Sequence, residues 1–178
     1  MTVVALTQRG PARLLITWVL AWLHVASAIC WLGGGILFAF VVGPALARLS
    51  PAASGEFLVK IVPRIVRFFQ VFAGLTILFG ILLLYNLGGF SLLSPSSSYG
   101  LDLSLGALFA ILAFVETEAI AAPIQLKAVR MVREMLSTGA HQPPAALPST
   151  LRMARVTATL AVVLLVLASV FMVGAGFY

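Results

Sequence analysis

Three ionisable residues fall inside long apolar stretches of this chain: His24, Glu116 and Glu118. Charged and titratable side chains are costly in hydrocarbon, so each is a functional candidate by default. The neutral imidazole of His24 suits haem iron, copper or zinc. It would equally be satisfied by a hydrogen bond to a carbonyl or to Ser27, and both uses are open to it. Leu20, Ser27, Ala28 and Trp31 share its helix face. Gly33-Gly34-Gly35 follows, a run that weakens a helix but strips it of side chains. Another helix or a flat macrocycle can approach closely there, and Ala26, Ala28, Gly74 and Gly80 would serve either purpose. If the occupant is haem b, His24 is its axial ligand, with Trp31 and Gly34 at its face.

A second axial ligand is harder to find. His141 lies in a Pro-rich connection and reads as a solvated loop residue. Cys30 stands about 240° round the helix from His24 and reads as a small buried hydrophobe. Met131, Met135 and Met153 sit near one end of the spans, and Met172 near the other. A haem on His24 would therefore be five-coordinate, or take Glu116 or water as its sixth ligand. Glu116 is also the candidate catalytic proton acceptor. Glu116 and Glu118 are about 200° apart on a helix, so they cannot face one partner; one should point into the bundle. Arg64 and Arg67 open the second span, Arg152 and Arg155 the fourth, each pair spaced i, i+3 on the same side. Topological flanking explains them first. A clamp for haem propionates, anionic lipid headgroups or substrate carboxylates comes second, with Gln70 one turn beyond Arg67 available to the same site.

These residues need elements to position them. Of 178 residues, 62% are hydrophobic and 9% charged, against about 25% charged in ordinary soluble domains. That excludes a soluble enzyme, a disordered tail and a nucleic-acid module. Four stretches are long enough for a hydrocarbon core of roughly 30 Å: about 14–42, 65–87, 101–122 and 156–178. Gly43-Pro44 should stop the first, Gly88-Gly89 the second, and Pro123 should end or kink the third. The expected fold is all-α: one domain, an antiparallel bundle of four transmembrane helices. Arg9 and Arg13 before an apolar run ending in Ala26-Ser27-Ala28 imitate a signal peptide, but the run continues past Phe40 and reads as a retained helix. Counting from the same face of the bilayer places His24 about 15 Å deep and Glu116 about 20 Å deep, within about a turn of each other.

The net charge of +6 orients such a chain in a bilayer rather than recruiting nucleic acid. Four basic residues lie in the first connection and five around the third, with none in the second. Both termini and the Ser-rich stretch 91–100 are thus expected outside, with the basic connections in the cytoplasm. Trp18 and Trp22 read as an interfacial belt. One cysteine allows no intrachain disulfide, and no internal repeat is evident.

Trp22-Leu23-His24-Val25 followed by Trp31-Leu32-Gly33-Gly34-Gly35 resembles the first helix of the copper-resistance protein D superfamily. Pro63-Arg64-Ile65-Val66-Arg67-Phe68-Phe69, leading to Gly74 and Gly80, is similar to its second helix. The four-helix HemJ-type protoporphyrinogen oxidases share this layout. The resemblance implies a small membrane protein binding haem b, or handling metal, with His24 at the ligand position. The chain carries Glu116 and Glu118 where those oxidases have lysine or histidine, lacks their fourth-helix Asn-Glu-Pro motif, and lacks the Met/His-rich segments of copper-resistance members. The leading expectation is one-electron haem chemistry, as in a haem-dependent oxidoreductase, with quinol or another membrane redox partner. The alternatives are a copper or other cation permease component using His24 and Glu116, and a structural subunit in which Glu116 is neutral and hydrogen-bonded. The lipid bilayer is a partner in all three, and homo-oligomers fit any of them.

Overall fold

The computed structural model describes residues 10–139 and 144–177. Arg9 and His141 lie outside the described residues. The fold is an all-α membrane-type bundle. Four helices are long and apolar enough to span a bilayer: α1 (Pro11–Leu46), α3 (Val62–Leu87), α4 (Ser98–Thr138) and α5 (Leu147–Ala175). A short helix, α2 (Pro51–Lys60), lies between the first two. The chain runs up-down-up-down. The tightest contacts join α1 to α3 and α4 to α5; α3 also packs on α4, and α1 on α5, so α3 and α5 are diagonal. Large apolar side chains such as Ile29, Val163 and Val170 face outward along the helices, as lipid-facing positions require.

The first and third spans run past their expected ends, and prolines are the reason the expectation fell short there. Gly43-Pro44 does not end α1, which continues to Leu46, and Pro123 does not end α4, which continues to Thr138. In both, a π-helical turn comes just before the proline: Phe38–Val42 in α1 and Glu116–Ala121 in α4. The backbone N–H of Gly43 bonds the Phe38 carbonyl and that of Ala122 the Thr117 carbonyl, each five residues back. A proline offers no N–H to the preceding turn, and the widened turn absorbs the mismatch without breaking the helix. The α4 helix has 41 residues, about 60 Å at its normal rise, so it projects well past a hydrocarbon core. The α3 helix does end as expected, at Gly88 and at Gly89 with φ 79°.

Helix α2 was not anticipated, although its signal is present. Ser50 accepts a hydrogen bond from the Ala53 N–H, and Pro51 sits at the first helical position, the arrangement these residue types favour. Gly55 of α2 packs against Val132 and Leu136 on the projecting part of α4. On its exposed face, the hydrogen bond and then the charge of Lys60 hold the Glu56 carboxyl below the ordinary carboxylate range.

The remaining packing is small-on-large. Trp31 of α1, Ala73 of α3, Ala113 of α4 and Leu165 of α5 form one buried cluster. Towards the Ser-rich end, Gly106 receives Met172, and Phe109 stacks on Phe171 with centroids 5.7 Å apart. At the same end Asn86 donates to the Thr17 hydroxyl at 2.6 Å, tying α1 to α3. Such small residues and interhelical polar pairs hold helices together where water exclusion cannot.

Candidate functional site

His24 stands between α1 and α3. Its Nδ1 lies 2.9 Å from the Thr76 carbonyl oxygen. That oxygen can only accept, so Nδ1 carries a proton, and in the neutral ring Nε2 is the nitrogen with the lone pair. Gly80, one turn along α3, makes the room: a Cβ there would stand 2.9 Å from Cε1 and 3.1 Å from Nδ1 of the ring. A ring fixed by an Nδ1–H bond to a backbone carbonyl is the arrangement that orients metal-ligating histidines.

The triple glycine behaves differently from an open cradle. Gly34 faces the rings of Phe69 and Phe68, which would stand 3.0 and 3.1 Å from an added Cβ, and Gly35 faces Val162 at 3.1 Å. Only Gly33 looks onto open space. The glycines serve close helix packing on α3 and α5. Trp31 is 2% exposed, inside the central cluster.

The carboxylates form a separate layer. Glu118 accepts from Gln70 Nε2 at 2.9 Å. Gln70 is therefore spent on Glu118 and is not part of a site with Arg67. Gln70 and Thr76 are six residues apart on α3, so the carboxylate layer lies roughly 9 Å from the His24 layer along the bundle. Glu116, two residues nearer the Ser-rich end of α4 than Glu118, stands roughly 6 Å along the bundle from the His24 layer, about the one turn expected, but on the helix diagonal to α1. Glu116 points inward as expected and is 4% exposed. Neither of its carboxyl oxygens has a hydrogen-bond partner, His24 included, and the Thr117 hydroxyl, Glu118 Oε1 and Gln125 Oε1 are likewise buried without partners. The hydrogen-bonded Glu116 of the structural-subunit expectation is not what the fold provides. Gln70→Leu is expected to destabilise the bundle by about 1–3 kcal/mol, because it leaves Glu118 with no donor at all. A thermal midpoint in detergent no lower than that of the wild type would overturn this.

The arginines do not assemble. Arg64 and Arg67 belong to α3 and Arg152 and Arg155 to α5, the diagonal pair, and all four are exposed. Arg64 donates to the Lys60 carbonyl. Val162 meets Gly35, so counting residues along α5 and α1 places Arg155 roughly 27 Å from the His24 layer. That is close to the whole hydrocarbon thickness and beyond the reach of one macrocycle held at His24. His24 would offer haem iron one nitrogen ligand, and the propionate clamp expected at Arg152 and Arg155 does not fit. Among the described residues, no group of three or more His, Cys, Asp or Glu comes together to hold a metal ion.

Two cavities lie on the basic side of Trp31. The smaller, about 40 Å³, is lined by Trp31, Phe38, Thr117 and Gln125 among others. The larger, about 470 Å³, lies between α1, α2, α4 and α5 and shares Phe38, Gln125 and Ala158 with the first. Sequence reasoning missed both, because they depend on the widened turns. The prolines at 44 and 123 were the only available signal.

No family model, curated protein or solved structure matches the chain.

Proposed function

We propose that this multi-pass membrane protein binds haem b through Nε2 of His24 and serves a redox function in the bilayer. The observation that carries this is the fixed imidazole: Nδ1–H on the Thr76 carbonyl and the ring seated over Gly80, which in the neutral ring leaves Nε2 as the ligating nitrogen. The group would supply one-electron exchange with a quinol or another membrane redox partner, as in a haem-dependent oxidoreductase. The chain's own part is to fix the tautomer and orientation of the ring and to keep it in an apolar surround. We place both termini and the Ser-rich connection outside, and the ends bearing Arg64, Arg67, Arg152 and Arg155 in the cytoplasm, following the bias of positive charge.

The test is an absorption spectrum of protein purified from haem-replete cells, before and after dithionite. A Soret band with sharpened α and β bands on reduction, absent from His24→Ala, is the expected result. A folded wild type that takes up no haem, even when haem is added back, would sink the proposal. It would favour the packing role, which the same bond to Thr76 also satisfies. Copper handling would then require metal to co-purify with wild-type protein and not with His24→Ala.

A further inference from the structure

The larger cavity is lined mostly by apolar side chains, among them Phe38, Leu58, Leu151 and Ala158. Its volume of about 470 Å³ is in the range of small-molecule sites, roughly 300–1,000 Å³. The one charged residue in its lining is Arg155, whose guanidinium has no ion-pair partner among the described residues. Arg155 lies ten residues along α5 from Leu165 of the central cluster, roughly 15 Å, or half a hydrocarbon thickness. The guanidinium therefore stands where charged headgroups begin, and the cleft extends from it towards Phe38 and the bundle interior. Nothing acidic lines it.

We propose that this cleft binds a long-chain fatty carboxylate, its head paired with Arg155 and its chain between α1 and α5. The planar guanidinium matches a carboxylate with two parallel hydrogen bonds. The volume suits one chain, whereas a phospholipid would leave its second chain outside. Gln125 at the inner end belongs also to the smaller cavity, where the unpartnered oxygens of Thr117 and Gln125 meet a space large enough for water. The amide therefore has a polar neighbourhood that the chain need not enter.

The experiment is equilibrium binding of labelled oleate to the full chain in detergent, with stoichiometry read by native mass spectrometry. One oleate per chain is expected. Arg155→Gln should weaken it about tenfold, the loss of a charge-assisted pair, and oleyl alcohol should bind about tenfold more weakly than oleate for the same reason. Ala158→Phe, which fills the cleft, should abolish binding; because it risks the fold, the exposed Arg155→Gln carries the test independently. Unchanged oleate affinity in Arg155→Gln, or equal binding of oleyl alcohol, overturns the proposal. Displacement of oleate by phosphatidylglycerol at one molecule per chain would assign the cleft to a phospholipid and overturn it too. Displacement by a short-chain quinone would do the same in favour of a quinone site.

Discussion

If His24 holds haem as proposed, Gly80→Val is expected to abolish haem binding as completely as His24→Ala does, although residue 80 offers no ligand. The imidazole occupies the volume that any side chain at this position would claim: the first added carbon would already stand 2.9 Å from Cε1. Valine adds two more carbons on the same side. The ring must leave the Thr76 carbonyl, and Nδ1 then loses the bond that fixes the tautomer. Removing such a supporting contact typically lowers metal affinity about 10- to 100-fold. The control is Gly74→Val on the same helix, where an added Cβ meets nothing within 4 Å. The two substitutions carry the same helix-propensity change, so a difference between them reports on His24 alone. The expected readout is a Soret absorbance per chain near zero in Gly80→Val and near wild type in Gly74→Val. Equal haem content in the two variants would show that His24 is not held by Gly80 for ligation.

His24 illustrates what the chain alone discloses and what it withholds. A histidine in an apolar run beside small residues is legible one residue at a time, because the cost of a polar group in hydrocarbon is a local property. The four spans were legible for the same reason, as was the end of α3 at Gly88-Gly89. Which groups meet was not. Gln70 could be seen as a buried polar residue, but its bond to Glu118 depends on how α3 and α4 slide past each other. That register is set by contacts 48 residues apart in sequence. Counting depth from helix ends puts His24 and Glu116 within about a turn, but it says nothing of lateral position, and the fold separates them because α1 and α4 are diagonal. The four arginines read as two i, i+3 pairs; the fold puts them at one end of the bundle, yet on diagonal helices, where the two pairs do not meet. Pro44 is expected to stop α1 and Pro123 to end or kink α4; neither ends its helix, a π turn precedes each proline, and the walls of both cavities include residues of these turns. The consequence for function is that the polar groups divide into a histidine layer, a carboxylate layer and a basic cleft, and do not converge on one centre.

Glu116→Met is expected to raise the stability of the bundle, by about 1–3 kcal/mol. Glu116 is 4% exposed, and both carboxyl oxygens lack partners. Ionised, such a group bears an uncompensated charge in a poor solvent; protonated, it still carries a donor and acceptors with nothing to meet. Methionine has nearly the same length and no polar atom, and its flexible chain fits irregular gaps. Glu116→Gln separates shape from polarity, since the amide fills the same space and leaves donors and acceptors equally orphaned; it should gain little. The measurement is the thermal unfolding midpoint in one detergent at one protein concentration, followed by circular dichroism. A rise in Met without a comparable rise in Gln is the expected pattern. A fall in Met would mean that the carboxyl is satisfied in the folded protein, by water from the cavity beside Thr117 or by a bound cation. The stabilising outcome carries its own functional reading. A residue that weakens the fold where it stands, inside a π turn next to a proline, is then a candidate for chemistry and not for packing. Under the proposed function, proton uptake and release is the chemistry such a side chain would supply.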